Sequence, residues 1–251
     1  MPSFAGIAYS FSPRGPAEAP PLVLIHGAGG MSLSWPAPIR RLEHTTVIAP
    51  DLPNHGKSAP RRLGGLEEFA AALLEWFDGM RLDPVDLCGH SMGGAIGLLL
   101  ALQEPQRVRR LIVIGSAARL PVSPTLLELA ADPRTFAQAV EWLIRHAFGP
   151  NAPQRTRELT AQRLLETPPQ TLYSDLLACD RFDLSAEVAR IRHPTLVIGG
   201  GCDRLVTPAA TRWLATHLPC ARLEVLPQAG HLVMLERPQE VARQISRFLR
   251  R

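Results

Sequence analysis

Six short apolar runs recur along the chain with amphipathic segments between them, and this alternation restricts the fold more than any other feature. The runs are "PLVLIHG", "TTVIAPD", "VDLCGH", "RRLIVIGS", "PTLVIGG" and "ARLEVLP", each rich in Val, Ile and Leu and ending in turn formers. A run that is apolar on both faces suits a parallel strand buried between two layers. The segments "GLEEFAAALLEWFDGM", "MGGAIGLLLALQEP" and "PAATRWLATHL" carry helical periodicity instead. Strand–helix–strand repetition predicts an α/β fold: a doubly wound, mostly parallel sheet with helices on both faces. A length of 251 residues fits one large domain with an insertion.

The rhythm breaks once, between residues 119 and 190. That region holds only helical patterns separated by prolines: "SPTLLELAAD", "PRTFAQAVEWLIRHAFG", "PQRTRELTAQRLLET" and "PQTLYSDLLACDRF". Sheet-forming sequence resumes directly afterwards at "HPTLVIGG". The expected organisation is a core of residues 1–118 and 191–251, with a helical cap at 119–190 lying over the strand ends.

Composition narrows the function classes. The net charge is +4, carried by scattered arginines without a basic block or interleaved aromatics, so nucleic acid is not an expected partner. Cys88, Cys179, Cys202 and Cys220 show no C-x-x-C spacing, which argues against structural zinc and suits free thiols. No signal peptide is evident and no apolar stretch reaches membrane-spanning length, so a cytoplasmic protein with no membrane partner is expected. Oligomeric state is open.

Residues 88–97, "CGHSMGGAIG", follow the run "PVDL" and place Ser91 in a G-x-S-x-G spacing. The spacing alone is weak, since composition produces it in roughly one chain in ten of this size. Its position between a strand and a helix is the context of a nucleophile elbow, a turn so tight that the flanking residues must lack side chains. A serine hydroxyl then needs a base. His231, in "LPQAGHLVMLERP", lies at a strand's carboxyl end, whereas His217 falls in a helix and His146 in the cap. His26, His55 and His90 flank motifs and could be structural. Asp203, in "TLVIGGGCDRLVTP", is the carboxylate expected to orient His231, its simpler alternative being a helix cap. The preceding strand's loop, "IVIGSAARLPVSP", offers no acid. The glycine-rich turn "LIHGAGGMSLSW" makes the Ala28 N–H a candidate oxyanion donor, paired with that of Met92. A dinucleotide-binding reading of that turn fails at Ser32, where the last glycine should stand.

These motifs together resemble the α/β-hydrolase superfamily, in its cap-bearing esterase, lactonase and C–C hydrolase branch. The resemblance rests on "HGAGG" at 26–30, "DLPNHGKS" at 51–58, "GHSMGG" at 89–94 and "GHLVMLERP" at 230–238. Asn54 stands where the family has glycine, in a segment that is usually structural there. The resemblance implies cofactor-free and metal-free acyl hydrolysis through Ser91, His231 and Asp203. Serine rather than aspartate at the elbow argues against carbon–halogen and epoxide cleavage. The expected partner is a small-molecule ester, and the first reading is a carboxylesterase for small-to-medium acyl groups. Alternatives are an enol-lactonase, a meta-cleavage-product hydrolase, a carrier-protein methyl esterase, or a non-catalytic receptor on the same fold. Trp35, Met92, Trp142, Phe148, Leu205, Val206 and Leu232 are candidate pocket residues, with ordinary packing as the competing explanation.

Overall fold

The computed structural model of this protein describes residues 1–250. Eight strands run in chain order: β1 (Ser3–Phe4), β2 (Ile7–Pro13), β3 (Leu22–Ile25), β4 (Thr46–Pro50), β5 (Val85–His90), β6 (Val108–Ile114), β7 (Thr195–Gly200) and β8 (Ala221–Leu226). The helices are α1 (Ala37–Arg40), α2 (Leu66–Met80), α3 (Met92–Gln103), α4 (Pro124–Ala131), α5 (Phe136–Ala147), α6 (Gln154–Leu165), α7 (Pro169–Arg181), α8 (Pro208–His217), α9 (Val233–Glu236) and α10 (Pro238–Leu249). The strands form one sheet in the order β1-β2-β4-β3-β5-β6-β7-β8. All six expected parallel strands are present, from β3 to β8. β1 and β2 are additional, and they pair antiparallel on the β4 edge.

Side-chain alternation divides the sheet between two cores. Val23 and Ile25 of β3 join Leu87, Val113 and the helices α2, α3 and α8 on one face. Leu22 and Leu24 join Ile112, Ile198 and the helices α1, α9 and α10 on the other. Helix α3 is apolar all round because it lies between the sheet and α2, so ten of its residues are buried. Helix α10 is amphipathic instead, burying Val241, Ala242, Ile245 and Phe248 along one stripe.

The sheet order places the site. From β3 the chain moves to one side to make β4, then returns to make β5 on β3's other side. The loops after β3 and β5 therefore diverge, and the crevice at such a switch point is where ligands of open α/β sheets bind. The four expected helices between β6 and β7 are α4 to α7, with a small core of their own around Leu126, Phe136, Val140, Leu172 and Leu176. Their stem is pinned where Arg119 pairs with Asp183 and the Leu184 N–H donates to the Ala118 carbonyl (2.8 Å). All four cysteines are free. Among the described residues no helix is long and apolar enough to cross a membrane.

Candidate active site

Ser91 joins the end of β5 to the start of α3 with φ 53° and ψ −117°, a conformation that costs a non-glycine residue on the order of 1–3 kcal/mol. Its neighbours explain why the turn is so tight. A β-carbon at Gly89 would lie 2.1 Å from the Gly93 carbonyl oxygen, and one at Gly93 would lie 2.2 Å from that of Ile25. The G-x-S-x-G spacing is thus a steric requirement for packing α3 against β5 and β3. The Ser91 N–H donates to the Ile114 carbonyl at 2.9 Å, anchoring the turn to β6.

Asp203 and His231 come from the loops after β7 and β8. His231 Nδ1 lies 2.9 Å from Asp203 Oδ2, and both side chains are buried. The other carboxylate oxygen, Oδ1, accepts the N–H groups of Leu205 and Val206, each at 2.9 Å. Asp203 does not cap α8; Thr207 does, accepting from the Ala210 N–H. Ser91 and His231 line one cavity, without a hydrogen bond between them.

The His231 loop is held from several directions. The N–H groups of His231 and Leu232 both donate to the Ala147 carbonyl at the end of α5, at 2.7 and 3.3 Å. Glu236 accepts the Gly230 N–H on one oxygen (2.8 Å) and the Gly149 N–H on the other (3.1 Å). His90 Nε2 donates to the His231 carbonyl at 3.1 Å, with the two rings 4.8 Å apart. Burial, reinforced by the neighbouring His231, lowers the His90 pKa to about 3, so this ring is a neutral donor.

His26 and His55 buttress the loops after β3 and β4. His26 donates from Nδ1 to the Gly27 carbonyl (2.9 Å) and accepts the Leu52 N–H on Nε2 (3.0 Å). Burial and the adjacent His55 hold its pKa well below the ordinary value. His55 has the opposite surroundings. Burial opposes its charge, but Asp175, the Pro53 carbonyl and Asp51 outweigh burial and raise its pKa. His55 Nε2 lies 2.7 Å from Asp175 Oδ2 and Nδ1 lies 2.8 Å from the Pro53 carbonyl. Asp51 accepts the N–H groups of Ser32 and Lys57. Asn54 fits its site because its φ is 71°, a left-handed conformation asparagine tolerates, and its side chain bonds the Arg61 backbone twice. His217 stacks on Trp213 at the exposed face of α8, and His146 stacks on Trp142 along α5.

The cavity of about 240 Å³ is bounded by the strand-end loops below and by α4 to α7 above. Of the candidate pocket residues, Trp35, Trp142, Leu205, Val206 and Leu232 line it, as does Ala28. Phe148 does not. It is buried and borders a separate hollow shared with Asp203, with the Arg157 guanidinium 5.2 Å over its ring. The Met92 side chain also turns away, into the core between α3 and the sheet. Ala28 donates its N–H to no protein acceptor among the described residues, and Met92 is the first residue of α3, where the N–H has no intrahelical partner. The glycine-rich turn leads into a three-residue 3-10 turn, not into the helix a dinucleotide loop requires. Among the described residues no three His, Cys, Asp or Glu side chains converge as a metal cluster.

Comparison with known proteins places this geometry in context. The model of the alpha/beta hydrolase family matches residues 22–244. The chain is 32% identical over 246 residues to the pimeloyl-[acyl-carrier protein] methyl ester esterase of Aromatoleum aromaticum, covering 89% of this chain and 95% of that protein. It is also 32% identical over 257 residues to the dihydrolipoyllysine-residue acetyltransferase component of the acetoin cleaving system of Pseudomonas putida. There it spans 92% of this chain but only 64% of that longer protein. Among solved structures, the enol-lactonase from Burkholderia xenovorans LB400 superposes with a TM-score of 0.88 at 26% identity, covering 98% of this chain and 96% of that one.

Proposed function

The chain belongs to the alpha/beta hydrolase family, and from that premise we propose that it hydrolyses carboxylic esters through an acyl-enzyme on Ser91. The observation that carries this reading is the constellation at one cavity: Ser91 on its strained turn, and His231 bonded through Nδ1 to Asp203. With Nδ1–H committed to Asp203, His231 keeps Nε2 free as the base. It takes the Ser91 proton as Oγ bonds the substrate's carbonyl carbon, then returns that proton to the departing alcohol. The Ala28 and Met92 N–H groups bind the oxyanion, and water releases the acid by the same steps in reverse roles. An apolar cavity of about 240 Å³ favours uncharged esters of small or medium acyl groups.

Turnover of p-nitrophenyl esters of graded acyl length by wild type and Ser91→Ala tests this. The same series includes an enol-lactone and a ring-fission diketone. Wild type is expected to prefer a short or medium ester, Ser91→Ala to lose turnover, and an organophosphonate to label Ser91. Undiminished hydrolysis by Ser91→Ala overturns the mechanism. Absence of both turnover and labelling favours a non-catalytic receptor, and a strong preference for the lactone or diketone reassigns the substrate class.

A further inference from the structure

The inserted helices do more than roof the cavity, because they also hold the loop after β3 by its backbone. Residues 27–30 form a turn closed by the Gly30 N–H on the Gly27 carbonyl (3.0 Å), with Ala28 and Gly29 at its centre. Gly29 is left-handed at φ 63°, which marks a type II turn. The type I alternative differs mainly by a flip of the central peptide, the one joining Ala28 to Gly29. That peptide's N–H donates to Asp175 Oδ2 at 2.8 Å. The Gly29 carbonyl accepts from Thr167 Oγ1 at 2.9 Å. Asp175 belongs to α7 and Thr167 to the turn before it, and both are buried. Leu164 and Leu172 close over the same glycine, within 3.0–3.1 Å of where a β-carbon would stand.

Asp175 is itself braced. The oxygen that takes the Gly29 N–H also faces His55 Nε2 at 2.7 Å, while His55 Nδ1 faces the Pro53 carbonyl. Acceptors at both ring nitrogens favour an imidazole that donates from both. A core histidine, a carboxylate from the insertion and the turn after β3 are thereby linked in series.

We propose that Asp175 is a positioning residue for the oxyanion loop: it holds the Ala28–Gly29 peptide by its N–H while Thr167 holds the next peptide by the Gly29 carbonyl, and together they fix the turn on which the Ala28 N–H stands. The proposal rests on the ester-hydrolase reading above. Lifting the helices from this turn frees the residues next to an oxyanion donor as well as opening the cavity, so turnover is expected to fall when they are not seated.

The test compares Asp175→Ala, Asp175→Asn and Thr167→Val in the full chain. Asparagine keeps an acceptor oxygen for the Gly29 N–H, whereas alanine does not. With the preferred p-nitrophenyl ester, and per organophosphonate-titrated site, kcat is expected to fall about 30-fold in Asp175→Ala, less than the roughly 10²–10³-fold loss of a deleted oxyanion donor. KM is expected to change little, and Asp175→Asn to recover most of the kcat. Thr167→Val is expected to lose about threefold to tenfold and serves if Asp175→Ala does not fold, since its loss follows from the same geometry. Wild-type kcat in Asp175→Ala, or in Thr167→Val should that be the variant that folds, overturns the proposal. So does an equal loss in Asp175→Asn and Asp175→Ala. Hydrogen exchange at the Gly29 amide gives a reading independent of any ester. Faster exchange in Asp175→Ala than in Asp175→Asn supports the lock even if wild type hydrolyses nothing, and unchanged exchange refutes it.

Discussion

Asp203 divides its two carboxylate oxygens between two tasks, so an asparagine at this position separates them. Oδ1 accepts two backbone N–H groups, from Leu205 and Val206, and must remain an oxygen in the variant. The amide nitrogen of Asp203→Asn is then forced into the place of Oδ2, facing His231 Nδ1 across 2.9 Å. Two donors cannot share that contact. His231 must move its proton to Nε2, the nitrogen that would receive the Ser91 proton, and it ceases to be a base. A carboxamide that imposes the wrong tautomer on such a triad lowers kcat about 10⁴-fold, or about 5.5 kcal/mol of transition-state stabilisation. Stability should scarcely follow, because both turn bonds survive; a change within about 1 kcal/mol is expected. Asp203→Ala removes those bonds as well. It should lose about 2 kcal/mol, roughly 4–8 °C in Tm, beyond a comparable loss of activity. Steady-state hydrolysis of the preferred ester and thermal melts on the three proteins give the comparison. If Asp203→Asn keeps kcat within tenfold of wild type, the tautomer argument is wrong, and Asp203 serves the fold alone.

Two further outcomes follow from backbone strain and from the raised His55 pKa. Ser91→Gly should be inactive yet melt about 2–4 °C or more above wild type, since glycine relieves a φ of 53° that costs serine at least about 1 kcal/mol; an unchanged or lower Tm would mean that the turn is not strained. His55 faces Asp175 on α7, Asp51 after β4 and the uncharged His26 after β3. A histidine whose pKa is raised on folding contributes stability fully present below its unfolded value and lost as pH rises through the folded one. The Tm advantage of wild type over His55→Gln should therefore be largest near pH 6 and shrink towards pH 9, and a gap that is flat or widens with pH contradicts the charged pair.

The sheet could be read from the residues because buried parallel strands are apolar on both faces, and β5 and β7 are buried throughout. β1 and β2 carry no such mark. β2 sits near the sheet's edge with Phe11 exposed, and its pattern is that of any half-solvated segment. The elbow could be read because its chemistry and its sterics demand the same glycines. Pocket residues are less legible, since an aromatic near a motif says nothing about which way its loop turns; Phe148 borders a different hollow and lies under Arg157. Neither Asp175 nor Glu236 stands out from the sequence, because a lone carboxylate on a helix is ordinarily solvated. A signal for Asp175 did exist: it falls between Leu172, Leu176 and Cys179, on the stripe that α7 buries. A carboxylate on the apolar side of a helix needs a partner, and sequence alone could not name a histidine 120 positions earlier.

The hydrogen bonds that leave the α4–α7 segment have a consequence for how such proteins can diverge. Ala147 grips the histidine loop, Gly149 shares Glu236 with it, and Asp175 and Thr167 grip the turn after β3. A graft that replaces residues 119–190 with a relative's helices exchanges the pocket walls but also cuts these anchors. The segment is therefore not an interchangeable cassette. A functional chimaera would have to carry across its own anchors for the loops after β3 and β8.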